Sequence, residues 1–350
     1  MINKPNKHLS KRLLLSSILF ASFTFVSMAN AIEPITDYRQ KTSLEERINQ
    51  AQKLIDTDFG HHTDIVKATK ILTAVIKQDR TYAPAYVQMA KVVLASRDQI
   101  EEKHQQKILE TAGEFVNTAI DLDPDYAETY VQAVRLHILS GNYELALATV
   151  NKAKLLGSTN PWLESYVAKI HYATSRYSEA DNAYQLISDK GRGNTAMQYK
   201  VYMTAVTQQM NIAYLTSNLE RMQALATKLV ESANPQDAKP WANAGGVLCR
   251  EGLYDKGIEY TQNSIAILKG KHAQKNLALC HYGKWAELRS KGNVKVAEQH
   301  FSTAYALNSD LVQVINAFST SGKALRELTP LLKNRLKKLS KDEWKSHIKV

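Results

Sequence analysis

DPDYAETYVQAVRLHILSGNYELALATVNKA, residues 123–153, is the stretch that decides the fold. Apolar, small or ring-bearing residues fall at Tyr130, Ala133, Val134 and His137. After a Ser140-Gly141-Asn142 break they fall again at Tyr143, Ala146, Leu147, Val150 and Ala153. Both runs have the three- and four-residue spacing of a helix with one buried face. Gly141 and Asn142 suit the left-handed turn that reverses the chain between antiparallel helices. Asp123-Pro124-Asp125 stands before the pair, and a proline cannot continue a helix, so it marks a stop and a new start.

The same plan recurs along the chain, and a fixed internal period is the signature of a repeat architecture. Ala168, His171 and Tyr172 are followed by Tyr177, Ala180, Tyr184 and Ile187. Trp241, Ala244, Gly245, Leu248, Gly252, Tyr254 and Gly257 repeat it, as do Trp285, Leu288, Gly292, Ala297, Phe301 and Ala304. Upstream, Tyr86, Met89, Ala90 and Val93 pair with Ala112, Val116, Ala119 and Pro124 across a longer charged connection, Arg97 to Gln106.

This spacing resembles the tetratricopeptide repeat over residues 83–190 and 238–311. That family sets a large residue early in the first helix, a small one at its eighth position, and a glycine and an aromatic at the turn. An alanine follows early in the second helix. Trp241, Gly245, Leu248, Gly252 and Tyr254 fit, and Leu122-Asp123-Pro124-Asp125-Tyr126-Ala127 looks like the family's junction. The sequence departs from the pattern at Gly257, where alanine is usual, and at Trp285, where a small residue is usual. The resemblance implies an all-α solenoid of antiparallel helix pairs wound into a right-handed superhelix. Small residues would sit where helices cross closely, with large ones between successive pairs.

Residues 32–82 are expected to form an amino-terminal helix pair, with Ser43 and Glu46 as a capping box. Residues 191–237 read as an irregular helical segment. Residues 312–350, with Lys333, Arg335, Lys337, Lys338 and Lys341, read as basic capping helices.

The first thirty-one residues read as an address. Lys4, Lys7, Lys11 and Arg12 form a basic start without an acid, Leu13 to Val26 carry no charge, and Ala29-Asn30-Ala31 gives a small-x-small pattern. Together they predict a secretory signal peptide cut after Ala31, hence a periplasmic or secreted protein. No later stretch is long and apolar enough to span a membrane. Removing those four charges takes the net charge from +11 to +7. A positive balance favours anionic partners, and export argues against nucleic acid.

No phosphate-binding Gly-rich loop, Gly-x-Ser-x-Gly elbow or His-Glu-x-x-His pair occurs, so the reading is non-enzymatic, without cofactor or metal. His61-His62-Thr63-Asp64 reads as an interhelical loop, with Asp64 capping the next helix. His137 and His171 share a repeat phase usually held by an aromatic, which makes them packing residues. An enzyme site in 194–237 is the weakest alternative, because the region lacks histidine, cysteine or clustered acids.

In the family the concave wall comes mainly from the first helices. The resemblance therefore implies a groove lined by Lys91, Arg135, Lys169, Arg250 and Arg289, with Gln88, Gln132 and Asn243 beside them. Cations there suit carboxylates, and arginine grips them with two bonds. The expected function is an interaction scaffold that binds an acidic or carboxylate-bearing peptide. A cell-envelope polysaccharide is the alternative ligand.

Two cysteines remain, Cys249 and Cys280. An oxidising compartment allows a disulfide. The alignment instead sets them about nine residues apart along neighbouring parallel helices, roughly 13 Å of axial offset. Since a disulfide needs Cα atoms within about 7 Å, buried thiols are the expectation.

Overall fold

The computed structural model describes residues 38–60, 63–97, 102–309, 313–314, 316–317 and 323–339. The expected signal peptide, 1–31, lies outside these residues, as do His61, His62 and Lys341. Among the described residues the regular elements are helices: α1 (Tyr38–Thr57), α2 (Thr63–Gln78), α3 (Ala83–Ser96), α4 (Glu102–Leu122), α5 (Ala127–Leu139), α6 (Tyr143–Leu155), α7 (Trp162–Ala173), α8 (Tyr177–Asp189), α9 (Ala196–Leu215), α10 (Leu219–Glu231), α11 (Lys239–Arg250), α12 (Tyr254–Ile267), α13 (Lys271–Ser290), α14 (Val294–Leu307) and α15 (Lys323–Leu339). None of them is long and apolar enough to cross a membrane. The contacts divide the chain into two units. One holds residues up to Ala183 together with Asn194–Val201, and the other holds Tyr184–Gly193 and residues from Tyr202 onward.

In the first unit, α1 pairs with α2, α3 with α4, and α5 with α6, while the first helices α1, α3, α5 and α7 lie beside one another. Small and large residues alternate to fill the space between pairs. Ala68, Ala90 and Ala112 are fully buried beside Leu72, Met89 and Phe115. Each buried large side chain contributes about 1.5–3 kcal/mol, which stabilises pairs that cannot hide their apolar faces alone. Helix α1 starts upstream of the expected capping box, so Ser43 lies inside it. Gln40 and Lys41 favour helix and carry it past that signal. Asp64 likewise lies in the first turn of α2, bonded to Lys67 at 2.9 Å.

One turn recurs in both units. After α5 the N–H of Asn142 donates back to the His137 carbonyl at 2.8 Å, with Gly141 left-handed at φ 78°. Arg176 does the same to His171 at 2.9 Å, Asn218 to Ala213 at 2.8 Å, Leu253 to Leu248 at 3.0 Å, and Asn293 to Leu288 at 2.9 Å. Gly252 and Gly292 hold the left-handed position in the last two, but Ser175 (φ 60°) and Ser217 (φ 56°) hold it elsewhere. A side chain there is strained, and glycine is the usual occupant. The segment expected to be irregular, 191–237, thus contains α9 and α10 joined by the same turn as the recognisable repeats. Ser217 stands at the glycine position there, as Ser175 does after α7.

The second unit departs from the expected register. Cys249 and Cys280 are joined by a disulfide with Cα atoms 5.1 Å apart. The expectation of two thiols is therefore wrong, and the reason is a slid helix. Cys249 is the eleventh residue of α11 and Cys280 the tenth of α13, so the two helices start nearly level. The Asn276 side-chain amide donates to the Ala242 carbonyl at 2.9 Å, which fixes that alignment near the start of both helices. The slide explains both departures from the family pattern. A Cβ on Gly257 would run into the Cys249 sulfur, so alanine does not fit. Trp285 is fully buried, and the close approach passes to Gly283, where a Cβ would strike the Tyr254 ring.

At the carboxyl end, Leu325 and Leu332 of α15 bury themselves in the core of α13 and α14. Arg335 of α15 pairs with Glu298 at 2.6 Å and lies over the Phe301 ring.

Candidate functional site on the inner faces

The residues expected to line the groove lie on the first helix of each pair. In the first unit these side chains meet across neighbouring first helices. Gln52, Gln88 and Gln132 recur on α1, α3 and α5. The Gln88 amide donates to the Gln52 oxygen at 3.5 Å. Gln88 and Gln132 are only 5% and 6% exposed, and their side-chain oxygens meet no donor among the described residues. A buried acceptor without a donor is costly.

The expected cations of this unit are already engaged. Lys91 forms an ion pair with Asp56 of α1 at 2.6 Å, both side chains 14% exposed. Arg135 donates to the Leu94 carbonyl at 3.2 Å. It also faces Tyr166, whose phenol burial pushes up to about 12 while the guanidinium opposes the shift. Lys169 is exposed and has a partner within the chain.

The start of α9 returns to the end of α1 within this unit. Lys200 donates to the carbonyls of Ile55 and Asp58, both at 3.1 Å. Tyr199 meets Phe59 edge-on, with ring centroids 5.8 Å apart. Carbonyls at a helix end lack intrahelical donors and carry partial negative charge, so an ammonium there is well placed.

In the second unit, Arg289 pairs with Glu298 of α14 at 2.9 Å. Arg250 differs. It is half-buried in the last turn of α11, and no carboxylate or hydrogen-bond acceptor serves it among the described residues. Burial holds its guanidinium below the usual value, with Tyr214 opposing. Asn243 lies seven residues earlier on the same helix, two turns away and on the same face. It too is half-buried and makes no side-chain bond among the described residues. A guanidinium fork and an amide on one helix face can bind a carboxylate and an adjoining amide together.

Sequence reasoning missed three parts of this picture. Asp56 was readable in principle, since it stands thirty-five residues before Lys91, about one repeat away. Lys200 left no local signal, because its targets lie more than 140 residues upstream. The third is a pair of imidazoles, His281 and His300, with Nδ1 atoms 2.8 Å apart. Burial lowers His281 to about 4, with His300 adding to the shift, and burial and Lys284 lower His300. No cluster of three or more potential metal ligands occurs among the described residues.

Helix pairs with left-handed turns, small residues at crossings and polar first-helix faces define a tetratricopeptide-type solenoid. No family model matches the sequence, and no curated protein matches it. Among solved structures, a chain of the APC/C hetero-tetramer Cut9-Hcn1 is similar with a TM-score of 0.53 and 12% identity, over 94% of this chain. The match spans 57% of the length of that chain, and it shows the fold alone. Pseudomonas aeruginosa pilF aligns at a TM-score of 0.45 and 14% identity, over 73% of this chain and 99% of its own. YrrB, a TPR protein with an unusual peptide-binding site, aligns at 0.30 and 16% identity, over 70% of this chain and 96% of its own.

Proposed function

We propose that the chain is an exported scaffold that holds a carboxylate-bearing peptide and performs no chemistry on it. The observation that carries this reading is Arg250 with Asn243. Both are partly desolvated on one helix face, and both lack an acceptor or donor from the chain among the described residues. An unpaired, half-buried guanidinium is unfavourable unless a ligand answers it. Export has separate support. A buried disulfide persists in oxidising compartments and is rare in reducing ones, which agrees with the leader read in residues 1–31.

Fluorescence anisotropy with labelled acidic peptides, each made with a free and an amidated carboxyl end, tests this. Arg250→Gln is expected to weaken the free-carboxylate forms by about tenfold or more, the worth of one charge-assisted bond. Amidated forms should change less. Equal binding by wild type and Arg250→Gln ends the reading.

A further inference from the structure

We propose that His281 and His300 form a binding site for one borderline divalent cation of the zinc, nickel or copper class. The Nδ1 atoms converge at 2.8 Å from two adjacent helices, α13 and α14. Their positions are fixed by the neighbouring residues. Tyr282 packs edge-on against Phe301 at 5.5 Å between centroids, and Trp285 meets the same ring at 5.2 Å. Two neutral rings so placed satisfy each other only when one Nδ1 carries a proton and the other accepts it.

A cation can replace that shared proton. The proton of the donor ring moves to its Nε2, and both Nδ1 lone pairs then point at the metal. No proton leaves the pair, and its charge rises by two. Zinc–nitrogen bonds of about 2.0–2.1 Å at a tetrahedral angle hold two nitrogens about 3.3 Å apart. The rings must therefore part by about 0.5 Å, within reach of a rotation of half-buried His300. Imidazole nitrogen selects zinc, copper or nickel over magnesium or calcium, which prefer oxygen.

Two nitrogens leave positions for water and for one carboxylate. Asp255, in the first turn of α12, is the carboxylate proposed for one of them. Its field already acts on His300, and its side chain is 80% exposed. Lys284 holds Asp255 at 2.9 Å and Glu287 at 3.0 Å, and Glu287 also bonds Lys291 at 2.7 Å. Lys284 thus opposes the cation twice, by its own charge and by retaining the carboxylate. Its removal separates a metal site from a plain hydrogen bond, because only a metal site gains from it.

Titration calorimetry of the full chain with nickel or zinc chloride provides the test. It uses a His61→Ala/His62→Ala background, which removes the other adjacent pair, and circular dichroism checks each variant for helix content. The expected result is one ion per chain. His300→Ala and His281→Gln should each weaken binding by about tenfold or more, and Lys284→Gln should strengthen it by about tenfold. The thermal midpoint should rise with metal in the parent and not in the histidine variants. Absence of saturable binding, or equal binding with and without either histidine, overturns the proposal and leaves an N–H···N hydrogen bond only.

Discussion

In the first unit Lys91 closes on Asp56, Arg135 on the Leu94 carbonyl, and Lys200 on the end of α1. In the second unit Arg250 and Asn243 meet no such group among the described residues, while a disulfide ties α11 to α13. The repeat position alone treats these cations as equivalent. Their surroundings separate them: one inner face spends its polar groups on its own stability, and the other keeps a guanidinium and an amide available. The second unit adds a covalent bond between two of its first helices, beside the Asn276 amide on the Ala242 carbonyl.

Breaking the covalent tie should have the largest effect. Cys249→Ser with Cys280→Ser opens a link between residues 31 apart, which loop entropy values at about 3–4 kcal/mol. Hydrogen exchange followed by mass spectrometry should show α11 to α14 losing protection while α1 to α6 keep theirs. Equal loss in both units would remove the contrast. Breaking the polar network comes next. Lys91→Met leaves Asp56 largely buried without its cation, and about 2 kcal/mol or more should be lost. That loss should register in α1 and α3 by the same exchange measurement. The smallest effect sharpens the comparison rather than breaking it. Ser217→Gly relieves a left-handed φ of 56° and should stabilise the second unit by about 0.5–1 kcal/mol, read as a higher urea midpoint at an unchanged slope.

The helix pairs were legible because their signals are local: period, turn glycines and the proline before α5. What was lost needed information from outside the repeat. The α9–α10 pair was obscured because α9 runs 20 residues, against 13 and 12 in α5 and α7, which breaks the period. The cysteine pairing was missed because alignment by turns assumes a constant axial register. Gly257, Trp285 and Gly283 together mark where that assumption fails, since a sulfur and an indole occupy the volumes that usually set the register. The family pattern set the expected groove residues on the first helices. Their state was not readable, because the partners of Lys91 and Arg135 lie on other repeats.

The contact of Lys200 with the end of α1 bears on how many repeats the first unit can have. Solenoids ordinarily gain or lose a repeat with little penalty, since each touches only its neighbours. Here the ammonium reaches carbonyls 142 and 145 residues upstream. Deleting any one pair between them would change the arc and part Lys200 from its acceptors. Evolution and engineering alike can vary the loops of this unit, but its repeat number is tied to the contacts of Tyr199 and Lys200 with the end of α1.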